Sequence, residues 1–233
     1  MSQLKVSIIL PALNEEETIG KVIDEIPKQA LEDAGYLVQV LVVDNNSRDM
    51  TRQIAQDKGA DVIIEPRKGK GRAMRTAFEQ VKADFIFMLD ADYTYPATYI
   101  PDMLDVLHRD YAVVIGSRLN GEREKGAMSR LNVVGNRLLS LMATIVYQRR
   151  ISDVCTGCWG FRAEVVKSLS LRATGFDLEA DLFSQLARKG YSIAEIPIYY
   201  RRRPTPAKLG SLKDGMKIGW ALIAKRFYGI IEH

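Results

Sequence analysis

The chain has 233 residues, 47% of them apolar and 27% charged, with a formal net charge of +4. That is enough apolar material for a sizeable core and excludes a disordered chain. The small basic excess, without aromatic interleaving, excludes a nucleic-acid binder as the first reading. Two cysteines, Cys155 and Cys158, stand as C-x-x-C, and the histidines are His108 and His233. A structural zinc site wants four ligands, and a thioredoxin-like pair is expected early, beside a βαβ pattern. The cysteines therefore read as two half-buried side chains in a turn, in a reducing cytoplasm. No signal-peptide pattern opens the chain, and no apolar run approaches the roughly 18–20 residues of a membrane span. The expectation is a cytoplasmic protein that meets a membrane only at its surface.

Residues 5–10 (KVSIIL) read as a first strand, ended by Pro11. Asn14 and the acids Glu15 to Glu17 open a helix, their charge favourable at its positive end, running to about Gly35 with a break at Pro27. Residues 38–43 (VQVLVV) are a second buried strand that stops at Asp44. Ser47 or Asp49 can cap the next helix, which Gly59 closes. Residues 62–65 are a third strand, and Gly69-Lys70-Gly71 precedes a helix over 72–82. Residues 85–89 (FIFML) form a continuous apolar run, the length of a strand buried on both faces. A helix over 98–108 and a strand over 112–115 follow. Strand, polar turn and helix thus recur at roughly 25-residue intervals, the signature of a doubly wound α/β sheet.

The second half reads differently. Residues 128–147 are an apolar helix carrying Arg130 and Arg137, and 153–166 a glycine-containing turn leading into a short helix. A helix over 177–189 with Gly190 at its C-terminus and a strand over 193–200 come next. The last helix, 211–231, has a broad apolar face with Trp220 and Phe227, accompanied by Lys213, Lys217, Lys225 and Arg226. That composition suits a membrane interface as well as it suits packing on the core or a partner subunit. The expected organisation is one α/β domain over 1–210 and an amphipathic C-terminal helix over 211–233.

The chemistry concentrates after the run at 85–89. Asp90 and Asp92 flank one small residue, Ala91, and side chains at i and i+2 of an extended chain point the same way. Two carboxylates so placed are either solvated in a loop or relieved by a hard cation such as Mg²⁺, which leaves positions open for phosphate. The buried strand before them and Pro96 after them favour the metal. In doubly wound folds ligands bind outside the carboxyl ends of the strands. Asn14/Glu15, Asp44, Arg67/Lys70 and Asp90/Asp92 all fall at such ends and would converge on one crevice.

The chain resembles family 2 glycosyltransferases of the GT-A fold, near the polyprenyl-phosphate (dolichyl-phosphate) sugar synthases. The matching pieces are PALNEE (11–16), VVDNNS (42–47), GKGRA (69–73), LDAD (89–92), GSR (116–118), GCWGFR (157–162) and AEIPI (194–198). They occur in the family's order over about residues 5–210. The resemblance implies a mostly parallel sheet flanked by helices, with acceptor-side helices near the C-terminus. It also implies a metal-dependent inverting transfer from a nucleoside diphosphate sugar to a polyprenyl phosphate, on the cytoplasmic face of a membrane. Pro11, Leu13 and Glu15 are similar to positions that cradle the base and ribose. Asp44 can accept from a base N–H or a ribose hydroxyl, or cap a turn. Arg67 and Lys70 can approach the diphosphate at a helix start, or be solvated. Asp90, Ala91 and Asp92 resemble the family's D-x-D, with Mg²⁺ or Mn²⁺ bridging to the diphosphate. Relatives often carry Gln two residues further on; here Thr94 stands there, and its hydroxyl can reach the metal or its water. Tyr93-Thr94-Tyr95 inclines the reading towards a UDP-sugar ahead of GDP-mannose.

The acceptor decides what else the site needs. A sugar hydroxyl would require a general base, for which Asp153, Glu179 and Asp181 are available. A lipid monophosphate is already anionic and needs cationic clamping instead. Arg118 and one of Arg202 and Arg203 are the clamp that the resemblance implies; the arginine run 201–203 also suits a solvated edge strand. A non-catalytic nucleotide-sugar-binding module is the remaining alternative.

Overall fold

The computed structural model describes residues 3–205 and 211–228, with side chains in the last helix described for 215–227. Among these residues, β1 (Lys5–Ala12), β2 (Leu37–Asp44), β3 (Asp61–Ile64), β4 (Phe85–Met88), β5 (Val113–Ser117), β6 (Trp159–Arg162) and β7 (Ile193–Pro197) form one sheet. Its order is β3-β2-β1-β4-β6-β5-β7. All pairings are parallel except those of β6, which runs antiparallel to both β4 and β5.

The continuous apolar runs form strands because both faces of the sheet are covered. Along β1, Val6, Ile8 and Leu10 enter one core and Ile9 the other; along β4, Phe85 and Phe87 alternate with Ile86 and Met88 in the same way. Helices α1 (Ile19–Glu25), α3 (Thr51–Asp57) and α5 (Ile100–His108) supply apolar residues to the first core. Helices α4 (Lys70–Gln80), α6 (Arg130–Tyr147), α7 (Ala163–Ser168), α8 (Leu178–Arg188) and α9 (Ser211–Tyr228) supply the second. Fully burying one such Ile or Phe contributes about 1.5–3 kcal/mol, so these two layers dominate stability. Helix α9 is tied down: Leu222 is buried, its carbonyl accepts from the Tyr147 hydroxyl at 2.8 Å, and Lys225 pairs with Asp181 at 3.0 Å.

Two expectations change. The helix expected from Asn14 starts only at Ile19, and Pro27 divides it into α1 and α2 (Lys28–Asp33). Asn14 lies in left-handed backbone (φ 49°), and the Glu15 N–H donates to Thr51 Oγ1 at 2.7 Å, so residues 13–18 stay an open loop. The turn expected over 153–166 contains β6. This strand needs a glycine, because Gly160 is registered between Phe87 and Val114. A Cβ there would lie 2.7 Å from the Phe87 ring and 2.9 Å from Val114 Cγ1.

Since β6 reverses the chain once on each side, β4, β5 and β7 end at the same edge of the sheet as β1 and β2. Arg118 after β5 is thereby brought to the edge that carries Asp90 after β4. The N-terminal approach to β6, residues 155–158, arrives there too.

Gly160→Ala should cost about 1–3 kcal/mol in a denaturant melt, as overpacking of a dry core does. Gly135→Ala, in α6 where nothing lies within 4 Å of the added carbon, should be neutral or stabilise by up to about 1 kcal/mol. Equal effects of the two would contradict the close packing of β6.

Candidate active site

The strand ends open into a cleft of about 960 Å³. Its floor, at the strand ends, carries Pro11, Leu13, Glu15, Asn45, Lys70, Asp90, Ala91 and Asp92, with Arg203 beside Glu15 and Asp92; Arg118 and residues of α6 and α9 also line it. The loop that brings Lys70 in is fixed by Asn45. The Asn45 amide donates to the carbonyls of Glu65 and Arg67 at 2.9 and 2.8 Å, and its oxygen accepts from the Gly69 N–H at 2.6 Å. Gly69 has φ 128° and packs so closely on Thr174 that a Cβ would lie 1.9 Å from the Thr174 carbonyl oxygen.

The two aspartates each meet a cation. Asp90 Oδ1 lies 2.5 Å from Lys70 Nζ, which also contacts Glu179 Oε1 at 2.6 Å. Asp92 Oδ2 lies 3.3 Å from Arg203, which also contacts Glu15 at 2.7 Å. Asp90 rests against Gly157, where a Cβ would fall 2.2 Å from Oδ2. The Gly157 N–H donates to the buried Tyr95 hydroxyl at 2.7 Å. Burial, and next the charge of Asp90, raises the Asp92 carboxyl above its usual range. Burial opposes the charge of Lys70, but Asp90 and Glu179 outweigh it and raise its pKa above the ordinary lysine value.

A divalent cation suits this pair. The donors are hard oxygens, and the two carboxylates repel one another in a poorly solvated place. Among the described residues no three His, Cys, Asp or Glu side chains group as a closed metal cage. Asp90 and Asp92 would therefore leave coordination positions for a ligand's own oxygens. Thr94 is buried behind Asp92, to which its hydroxyl donates at 2.5 Å, so it orients that carboxylate.

Other expected site residues are placed elsewhere. Asp44 is fully buried and accepts from Arg52 at 2.6 and 3.0 Å and from the Ser47 N–H at 3.0 Å; its neighbour Asn45 faces the cleft instead. Arg67 is exposed and turns back on Glu65, its hydrogen bonds holding that carboxyl at about 2. Arg202 is exposed, and its N–H donates to Glu124 at 2.8 Å. Of the arginine run, Arg203 is the member that lines the cleft. Arg201 is clamped on Glu25 and lies 4.4 Å over the Tyr93 ring. Cys155 is half-buried at the cleft wall and Cys158 is buried; burial pushes both thiols up to about 12, so neither is a thiolate at neutral pH.

All three carboxylates considered as a base are engaged. Asp153 is fully buried and forks onto Arg118, at 2.7 Å from Nε and 2.6 Å from Nη2. Glu179 holds Lys70. Asp181 accepts from the N–H groups of Arg172 and Ala173, both at 2.7 Å. The Arg118–Asp153 fork, its overlap with the Tyr200 ring at 5.4 Å and the Tyr95–Gly157 contact have no local sequence signal. Only the motifs GSR and GCWGFR marked their neighbourhoods.

Residues 7–170 match the family model described as glycosyl transferase family 2. The glycosyltransferase AglJ of Haloferax volcanii is 36% identical over 213 residues, covering 90% of this chain and 68% of that protein. A dolichyl-phosphate hexose transferase of the same organism is 34% identical over 220 residues, covering 93% and 92%. Among solved structures, glucosyl-3-phosphoglycerate synthase of Mycobacterium tuberculosis, in complex with Mn²⁺, UDP and glucosyl-3-phosphoglycerate, superposes with a TM-score of 0.73. It is 25% identical, and the match covers 95% of this chain and 78% of that one. The sheet is the GT-A arrangement.

Asp153→Ala should destabilise the chain by about 3–5 kcal/mol, because it strands the Arg118 guanidinium in a buried place. Adding Arg118→Met should recover most of that loss. Denaturant melts of both single variants and the double variant test this; strictly additive losses would mean the two side chains are not energetically coupled.

Proposed function

The chain belongs to glycosyl transferase family 2, and from that premise we propose that it moves a hexose or N-acetylhexosamine from a nucleoside diphosphate sugar to a polyprenyl phosphate. The observation that carries this reading is the mixed lining of one cleft: the polar Asp90, Asp92 and Lys70, the cations Arg118 and Arg203, and apolar side chains of α6 and α9. The H. volcanii dolichyl-phosphate hexose transferase supports the acceptor. The mycobacterial synthase, with UDP and Mn²⁺, supports a UDP-sugar over GDP-mannose and Mg²⁺ or Mn²⁺ as cofactor.

In this reading Pro11, Leu13 and Glu15 receive the nucleoside beside Ala91, and Lys70 approaches the diphosphate. Asp90 and Asp92 hold the divalent cation, which supplies charge neutralisation to the departing diphosphate. Arg118 and Arg203 fix the acceptor phosphate, so that its oxygen attacks the anomeric carbon from the side opposite the leaving diphosphate, with inversion. The acceptor oxygen is anionic before it attacks, so no general base is required. That agrees with Asp153, Glu179 and Asp181 each being occupied by a partner.

The acceptor's hydrocarbon chain needs a lipid surface near the cleft. On α6, Leu131, Val134, Leu138, Leu141 and Ile145 are each more than half exposed, at alternating spacings of three and four that make one helical face. On α9, Met216, Trp220 and Phe227 are equally exposed. Exposed Arg130, Arg137, Arg149 and Arg150 accompany this face. Apolar patches of this extent mark an interaction surface, and the basic residues suit an anionic bilayer. Among the described residues no helix is long and apolar enough to cross a membrane. The enzyme would lie on the cytoplasmic face, with α6 and α9 against the lipid.

A labelled UDP-sugar incubated with polyprenyl phosphate and Mn²⁺ should deliver label to the organic phase on extraction. Asp92→Ala should abolish this while melting close to the wild type. Label that stays wholly aqueous would overturn the lipid acceptor, and full transfer by Asp92→Ala would overturn the metal centre.

Liposomes with anionic lipid should carry the protein upward in a density gradient at low salt, less so at high salt. Leu138→Glu with Leu141→Glu should leave it at the bottom. Wild-type protein that fails to float would remove the bilayer from this proposal.

A further inference from the structure

Lys70 is held between two carboxylates that differ in depth. Asp90 is the shallower, its side chain 28% exposed; Glu179, in the first turn of α8, is 9% exposed. Among the described residues, Lys70 is the ionic partner of Glu179. A carboxylate as deep as this is expensive to keep charged unless paired. The backbone under Lys70 is fixed. The Gly71 N–H donates to the Gly175 carbonyl at 3.1 Å, and neither Gly69 nor Gly71 has room for a Cβ against residues 173–174. Any adjustment by Lys70 is therefore made by its four-carbon side chain alone.

The ammonium and a divalent cation compete for one carboxylate. With Asp90 given to a metal, a lysine 2.5 Å from its oxygen loses its attraction there and gains a repulsion. Glu179 is the anchor that remains. A lysine pivoting on Glu179 stays at the cleft floor, where a diphosphate would arrive.

We propose that Lys70 is a transferable counter-ion: it neutralises Asp90 until Asp90 binds a divalent cation, and then turns about Glu179 onto the donor diphosphate. Glu179 is a positioning residue that acts through Lys70. The inference deepens the donor-site reading above and rests on it. Metal must then displace Lys70, and metal and nucleotide bind in a coupled way because each favours the same position of one side chain.

The test titrates Mn²⁺ alone, then UDP at saturating Mn²⁺, by calorimetry and by the electron paramagnetic resonance of free Mn²⁺. Lys70→Met should bind Mn²⁺ alone roughly tenfold more tightly than wild type, and UDP with Mn²⁺ roughly tenfold more weakly. Glu179→Gln leaves Lys70 wholly to Asp90, so Mn²⁺ alone should bind roughly tenfold more weakly. The double variant, neutral at both positions, should match Lys70→Met, and it carries the comparison with wild type where the single lysine variant does not fold. A merely structural ion pair would lower the melting temperature without raising Mn²⁺ affinity. Mn²⁺ binding no tighter in the lysine-free variants than in wild type overturns the counter-ion role. A Glu179→Gln loss that persists in the double variant overturns the pivot. Wild-type protein that takes up no Mn²⁺ even with UDP overturns the metal centre itself and this inference with it.

Discussion

Two carboxylates of one sign, two residues apart beyond the C-terminal end of a buried strand, are the constraint around which the site is built. Neither Asp90 nor Asp92 is left alone. Each is bridged by a cation to a second, deeper carboxylate: Asp90 through Lys70 to Glu179, and Asp92 through Arg203 to Glu15. The four acids come from the loop after β1, the loop after β4 and the start of α8. The two cations come from the start of α4 and the segment after β7. The charge problem posed by β4 is thus solved by most of the elements that reach this edge, which ties the placement of those loops to the electrostatics of one pair.

Sheet topology makes that possible. A wholly parallel sheet can bring helix starts and strand ends to one edge; the reversed strand β6 adds a chain that enters the edge from the other direction. Its approach places Gly157 against Asp90 and its N–H on the Tyr95 hydroxyl. Three residues on, Gly160 passes between Phe87 and Val114. The same short segment shapes the cleft at one end and closes the core at the other. Both tasks need a residue without a side chain, and this accounts physically for the two glycines of GCWGFR.

What the sequence made legible, and what it did not, divides along these lines. Strands β1, β2 and β4 were readable because burial weakens alternation and leaves apolar runs, unbroken in β4 and interrupted by one polar residue in β1 (Ser7) and β2 (Gln39). The D-x-D was readable because its spacing and its strand are local. Strand β6 was not: four residues with a central glycine, paired to partners 44 to 77 positions away, carry no periodic signal. The direction of a side chain is equally silent. Arg67 and Lys70 stand three apart in one glycine-rich turn, yet Glu65 draws the first outward while Glu179, 109 positions on, holds the second in. Arg118 was singled out as a phosphate ligand, and its partner Asp153 as a possible base. Their fork spans 35 positions and joins the two roles into one. Residues 206–210 and 229–233 lie outside the described residues, and the end of the helix expected over 211–231 falls among them.

The occupied state of every candidate base has a consequence for the kind of acceptor. A neutral hydroxyl must lose a proton as it attacks, and the group that takes it has to be unpaired at that moment. Asp153 is locked by a fork, Asp181 by two backbone N–H groups and Lys225, and Glu179 by Lys70. Freeing any of them would leave a buried cation or buried N–H groups unsatisfied, a cost of several kcal/mol spent before chemistry begins. A phosphate monoester needs no such release, since its oxygen is already charged and asks only for cations. The cleft lining holds such cations in Arg118 and Arg203, which keep their carboxylate partners, together with apolar side chains of α6. The proposed acceptor, with an anionic head and a hydrocarbon tail, would meet both kinds of side chain in that lining.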